Sequence, residues 1–197
     1  MKTKLFTALC TFLILTLSIV VTTYAQTVSV GVSSGNIFEY DYSFSWESTD
    51  PNATMPSVYK ELIDIQSIKI TIKNVSMSLI NLDITKNYMN GTSSTQSGTV
   101  DVDKQEINII YGFLIIRSNA NPNELIYPSG GHEKLGETTT RTYPVGQIET
   151  IRYIKNVTSE TTYMKVEIFY DVVTGVAAEY QYEYTEMSDS YTTTTKE

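Results

Sequence analysis

Apolar and polar residues alternate with period two through nearly the whole chain after Gln26, and no other feature narrows the possible folds as much. Successive side chains of a strand point to opposite faces, so such alternation builds elements with one buried and one wet face. Ile68, Ile70 and Ile72 point one way and Lys69, Thr71 and Lys73 the other; Met164, Val166, Ile168 and Tyr170 oppose Lys165, Glu167 and Asp171. Half-wet strands belong to antiparallel sheets, because parallel sheets are covered on both sides and read as continuous apolar runs. The stretch "INIIYGFLII", Ile107 to Ile116, breaks the pattern. Apolar on both faces, it predicts a central or doubly covered strand. The expected fold is all-β: a curved, open, barrel-like antiparallel sheet of about eight to ten strands, with a β-sandwich as the alternative.

Turn chemistry sets registers. A shared face for Ile80, Leu82, Ile84, Val100 and Val102 requires facing positions to sum to an even number, which a two-residue loop at Asn90-Gly91 does not allow. A three-residue loop, Met89 to Gly91, does. With Gly91 left-handed, as in a type I turn followed by a G1 bulge, Ile80 falls opposite Val100 and Leu82 opposite Gly98. Further turns are expected at "YPVG", Tyr143 to Gly146, and at "DVVTG", where the Asp171 carboxylate is placed to accept from the following backbone N–H groups. One short helix is expected at "PSVYKELIDI": Pro56 suits a first turn, and Val58, Leu62 and Ile65 form one stripe to cover the sheet.

The first 25 residues, "MKTKLFTALCTFLILTLSIVVTTYA", place two lysines before a long apolar run and small residues before Gln26, the layout of a secretory signal peptide. Cleavage after Ala25 is the favoured reading. The run is also long enough to span a bilayer, so an uncleaved anchor is the alternative, and the only route to a membrane. The residues before Cys10 lack the pattern of a lipid-attachment site, and this sole cysteine leaves with the leader. Removing 25 of the 197 residues leaves 172, one ordinary domain able to bury a core without disulfides or structural metal. The β domain is expected over 26–186. A polar tail, 187–197, is expected to be disordered.

Loss of Lys2 and Lys4 takes the net charge from −8 to −10. That sign repels phosphate backbones and anionic lipid, which argues against nucleic acid as a partner. Sequons at Asn52, Asn74, Asn90 and Asn156 suit glycosylation on the surface of a secreted or cell-surface protein, although such triplets also arise by chance in a chain rich in asparagine, serine and threonine.

Candidate chemistry is sparse. "GVSSG", Gly31 to Gly35, matches the nucleophile-elbow pattern around Ser33, but a strand follows where that elbow needs a helix. "HEKLG" opens like a zinc-protease helix, yet Gly136 stands where the second histidine belongs, so His132 reads as a loop residue. With one histidine and no mature cysteine, thiol, zinc and haem chemistry lose their usual residues. Carboxylates remain. Glu39, Asp41, Glu179 and Glu183 occupy wet strand faces, and Asp101 with Asp103 form a D-x-D that alone does not supply the six to eight oxygens of a calcium site. Neither an enzyme nor a cofactor or metal is expected.

Two aromatic ladders are the most unusual feature. Phe38, Tyr40, Tyr42, Phe44 and Trp46 share one face of "FEYDYSFSW", and Tyr180, Tyr182 and Tyr184 share one face of "EYQYEY". Such rings either pack together with the aliphatic strands or leave part of a phenol-rich interior open as a cleft. On the second reading Tyr40, Tyr42, Trp46, Tyr180 and Tyr182 are the ligand-binding candidates, for an apolar molecule or a glycan.

Two short patterns, Gly35-Asn36-x-Phe38-x-Tyr40 and Tyr170-Asp171-x-x-Thr174-Gly175, together with the leader and sequons, resemble those of uncharacterised exported β-rich surface proteins of archaea. Their plan is similar to the curved open sheets of lipoprotein-carrier-like folds. The resemblance implies an exported, non-enzymatic protein. The expected function is thus a secreted or cell-surface binding module; the alternative is a structural surface or filament subunit that assembles with neighbouring copies by adding its "QTVSVGV" segment to an open sheet edge.

Overall fold

The computed structural model describes residues 28–187 and 192–196; the leader, with Cys10, lies outside them. The strands are β1 (Ile37–Asp41), β2 (Ser45–Ser48), β3 (Ile65–Ser76), β4 (Leu79–Tyr88), β5 (Ser93–Asp101), β6 (Glu106–Ile107) and β7 (Leu125–Tyr127). They continue with β8 (Gly130–Lys134), β9 (Thr138–Tyr143), β10 (Gly146–Thr158), β11 (Thr162–Asp171), β12 (Ala177–Met187) and β13 (Thr192–Lys196). All pairings are antiparallel. As alternation implied, the fold is all-β, and its sheets are open. A five-stranded sheet runs β1-β3-β4-β5-β6 and a six-stranded sheet β2-β13-β12-β11-β10-β9, with β7-β8 as a separate hairpin. No helix among the described residues is long and apolar enough to cross a membrane.

The β4–β5 hairpin has the expected register: Ile80 faces Val100 and Leu82 faces Gly98. Gly91 has φ +82°, which glycine adopts without steric penalty, and its N–H closes the loop on the Tyr88 carbonyl at 2.9 Å. Tyr143 pairs with Gly146 as the "YPVG" turn requires. At the β11–β12 turn the Asp171 carboxylate accepts the Val173 N–H at 2.8 Å and the Thr174 hydroxyl at 3.0 Å.

The core lies where both large sheets face the segment between β6 and β7. Ile68, Ile70, Ile72, Ile80, Leu82 and Ile84 from the five-stranded sheet are buried, and so are Ile151, Ile168 and Tyr170 from the other. The apolar run between them is not the expected strand. Only Ile107 belongs to a strand; Gly112–Leu114 form a 3₁₀ turn, entered through Tyr111 at φ +62°. Its burial holds only in part: Ile109, Tyr111, Leu114, Ile115 and Ile116 are inside, but Ile110 is 57% exposed. From Tyr111 to Ile116 the run is largely covered because it plugs the space between sheets, where no neighbouring strand is needed.

Three other expectations are corrected. The helix shrinks to α1 (Ser57–Lys60), with Pro56 as its N-cap; Val58 is 69% exposed, and Ile65 instead opens β3. A four-residue helix is too short to present a buried stripe. Part of the polar tail is ordered, Thr192–Lys196 forming β13 between β12 and β2, while 188–191 and 197 lie outside the described residues. Threonine is β-branched and tolerates half-burial, Thr195 is buried, and the Thr193 and Thr194 hydroxyls hydrogen-bond those of Ser48 and Thr185 at 3.1 and 3.2 Å. On the expected wet face of β11, Glu167 and Phe169 are buried. Guanidinium groups cover that ring, Arg141 at 3.9 Å and Arg152 at 5.9 Å from its centroid.

Residues 28–32 of the segment proposed as a donor strand are engaged within this chain, while 26 and 27 lie outside the described residues. Val32 is buried, Val28 and Val30 pack on the core, and the Ser118 N–H donates to the Ser29 carbonyl at 2.9 Å.

Candidate functional site

The first ladder has the phase read from its sequence: Phe38, Tyr40, Tyr42, Phe44 and Trp46 are half-buried, while Glu39, Asp41, Ser43, Ser45 and Glu47 are exposed. It does not lie on one strand. Phe38 and Tyr40 belong to β1 and face Ile70 and Ile68; Trp46 belongs to β2 and faces Thr195. The chain crosses from one sheet to the other between Asp41 and Ser45, and Tyr42 sits in the crossing. Phe44 stacks at 5.4 Å on Tyr59 beside α1.

From Tyr42 a chain of rings spans the interior. Tyr42 meets Tyr111 edge-on at 6.5 Å, Tyr111 meets Phe113 at 6.1 Å, and Phe113 meets Tyr180 on β12 at 5.2 Å. Tyr111 holds its place through a left-handed backbone that a bulky residue adopts only when its surroundings impose it, at about 1–3 kcal/mol. Beside these rings opens a cleft of about 860 Å³. Tyr40, Tyr42, Tyr111 and Tyr180 line it, Leu114 and Val176 deepen it, and Tyr143 to Val145 of the β9–β10 turn form its lip.

The acids of this cleft are mostly committed. Asp171 caps its own turn. Glu179 accepts from Arg141 at 2.7 Å, from Gln181 at 2.7 Å and from the Tyr143 hydroxyl at 3.3 Å, and Glu39 accepts from Ser67 at 3.1 Å. What the cleft offers a ligand is therefore chiefly aromatic and aliphatic surface. The Tyr40 hydroxyl is buried with no hydrogen-bond partner among the described residues, and burial raises its ionisation well above the usual phenol range.

A second cleft, of about 300 Å³, lies between the β7–β8 hairpin and the inner face of the six-stranded sheet. Tyr153, Tyr180 and Tyr182 form its floor, with Tyr127 and Glu133 in its walls. Glu133 accepts the Tyr153 hydroxyl at 2.9 Å and the Lys155 ammonium at 2.5 Å, and the Lys155 bond is the main force holding its carboxyl below the usual range.

Of the sequence candidates, Tyr40, Tyr42 and Tyr180 meet in the larger cleft, and Tyr180 and Tyr182 in the smaller. Trp46 lines neither; it continues the inner face of the six-stranded sheet in a row with Thr195 and Tyr184. Tyr111, Tyr127, Glu133 and Tyr153 were missed. The alternation that marks Tyr153 and Tyr127 carries no sign of a cavity, and Tyr111 was hidden inside an apolar run.

The four sequon asparagines, Asn52, Asn74, Asn90 and Asn156, are all exposed. Asn74 follows a register shift in β3, and the Asn90 side chain accepts the Thr92 N–H at 2.9 Å. His132 lies on strand β8 rather than in a loop, exposed, because the hairpin carries its sequence outward. Asp101 accepts the Asp103 N–H at 3.0 Å and Asp103 accepts the Ser129 hydroxyl at 2.8 Å, so this D-x-D shapes a turn. Among the described residues no three histidine, cysteine or acidic side chains converge as a metal site would need.

No protein-family model matches the chain, and neither a curated protein nor a solved structure matches it.

Proposed function

We propose that the protein is an exported, non-enzymatic binding module whose larger cleft takes an apolar small molecule. One observation carries the reading: the inter-sheet cleft is lined by the rings of Tyr40, Tyr42, Tyr111 and Tyr180, while Glu179 and Asp171 at its rim are held by protein partners. Its volume lies within the ordinary range of small-molecule sites. The leader supports export, and the acidic net charge suits solubility outside the cell. A filament built by donating residues 26–32 is the less favoured reading, because release of that segment would expose Val32 and Val30 to water.

The test uses the neutral fluorophore N-phenyl-1-naphthylamine with the chain from Gln26. Binding should enhance its emission. Tyr42→Ala should keep the fold by circular dichroism and weaken binding about tenfold, the effect of losing roughly 1.4 kcal/mol of contact. No enhancement with the native chain, or unchanged binding in a folded Tyr42→Ala variant, would sink the proposal.

A further inference from the structure

The smaller cleft differs from the larger in its polar equipment, and the two share only the Tyr180 ring. Its floor presents aromatic faces. Its wall presents Glu133, whose two oxygens receive one donor each, from Lys155 and Tyr153. A carboxylate has about four lone-pair sites, so two remain. Tyr127 lines the same cleft, 6% exposed, and burial pushes the ionisation of its hydroxyl up to about 12. The roof comes close as well: a side chain at Gly130 would strike the Lys104 carbonyl oxygen at 2.2 Å, so glycine there lets the hairpin close over the site.

Charge narrows the occupant. Lys155 already neutralises Glu133, so an organic cation would have to displace an ammonium at 2.5 Å, and an anion would meet the carboxylate. A purely apolar ring would make no use of the Glu133 carboxylate or the Tyr127 hydroxyl that line the cleft. We propose that this cleft holds one neutral, polyhydroxylated ring of monosaccharide size, its carbon face on the tyrosines and its hydroxyls bonded to Glu133 and Tyr127. This goes beyond the apolar site and stands independently of it.

Saturation-transfer NMR on the chain from Gln26, with glucose, galactose, mannose and N-acetylglucosamine as separate probes, tests the proposal. At least one sugar should bind. Glu133→Gln should weaken it about tenfold and Tyr127→Phe about fivefold, with both variants folded by circular dichroism, as expected for a hydrogen bond to a charged and to a neutral group. Tyr42→Ala should leave sugar binding intact while reducing naphthylamine binding, so failure at one cleft is separable from failure at the other. If a variant does not fold, amide shifts of the native chain decide instead, and should centre on Gly130 to Glu133. Binding of no sugar, sugar binding indifferent to both folded variants, shifts centred elsewhere, or tetramethylammonium bound in place of sugars would each overturn the assignment.

Discussion

The two large sheets face the same interior with different chemistry. The five-stranded sheet offers Ile68, Ile70, Ile72, Ile80, Leu82 and Ile84, none more than 3% exposed. The six-stranded sheet offers Tyr153, Tyr180, Tyr182 and Tyr184, all half-buried, around a smaller buried set of Ile151, Ile168 and Tyr170. Branched aliphatic side chains interdigitate and exclude water. Phenols bring a polar atom that must reach a partner, so a face built of them closes less completely. Both clefts touch this tyrosine face, and the comparison teaches that one sheet supplies stability while the other supplies openings.

The largest expected effect breaks that comparison if it is absent. Ile70→Ala should cost about 2–5 kcal/mol, the range for a large aliphatic truncated in a packed core, whereas Tyr182→Ala should cost about 1 kcal/mol, a typical value for point mutants. Urea denaturation of both measures the difference. Equal losses would mean that the tyrosine face is packed as tightly as the aliphatic one.

Next comes acid sensitivity, which should concentrate on the six-stranded sheet. Burial pushes the Glu167 carboxyl up, but Lys165 at 2.6 Å and Arg152 at 2.6 Å outweigh it and leave it below the usual range. A carboxyl depressed in the folded state contributes stability above its unfolded value, about 4.3 for glutamate, and loses it as pH falls through the folded value. Asp83 on the five-stranded sheet is also held down, first by its hydrogen bond from Ser97, but its ion pair with Lys73 is more exposed and better screened. Between about pH 5 and 3, urea midpoints should fall in the native chain. Glu167→Gln should flatten that fall more than Asp83→Asn; the reverse order would remove the asymmetry.

Much of this was legible because it is local. The Ile80–Val100 register follows from parity and one glycine, and the phase of the ladder from counting by twos. That Phe38 and Trp46 lie in different sheets was not legible, since alternation continues unbroken through Tyr42 while the chain changes sheet. Nor was β13, whose partner β2 ends at Ser48: pairing across that separation leaves no mark in "TTTTK". The tyrosines of the clefts could be counted, but their meeting depends on an interior segment whose apolar composition shows burial and not shape. Tyr111 turns left-handed inside that segment, and only the fold reveals it.

The smallest effects sharpen the comparison to single atoms. Tyr170 on the six-stranded sheet donates its buried hydroxyl to the Phe113 carbonyl at 2.9 Å. Tyr170→Phe removes one bond and strands that carbonyl, and should cost about 0.5–1.5 kcal/mol. Tyr40 on the five-stranded sheet has a buried hydroxyl without a partner among the described residues, so Tyr40→Phe removes a desolvated polar group and none of the bonds seen. That variant should be neutral or stabilising by up to about 1 kcal/mol, opposite in sign to its counterpart across the interior. Thermal melts of the two variants at neutral pH make the measurement, and a clear loss at Tyr40 would show that its hydroxyl is satisfied in solution. The larger cleft would then hold ordered water at its floor, and naphthylamine should gain affinity in Tyr40→Phe only if that water is displaced unfavourably.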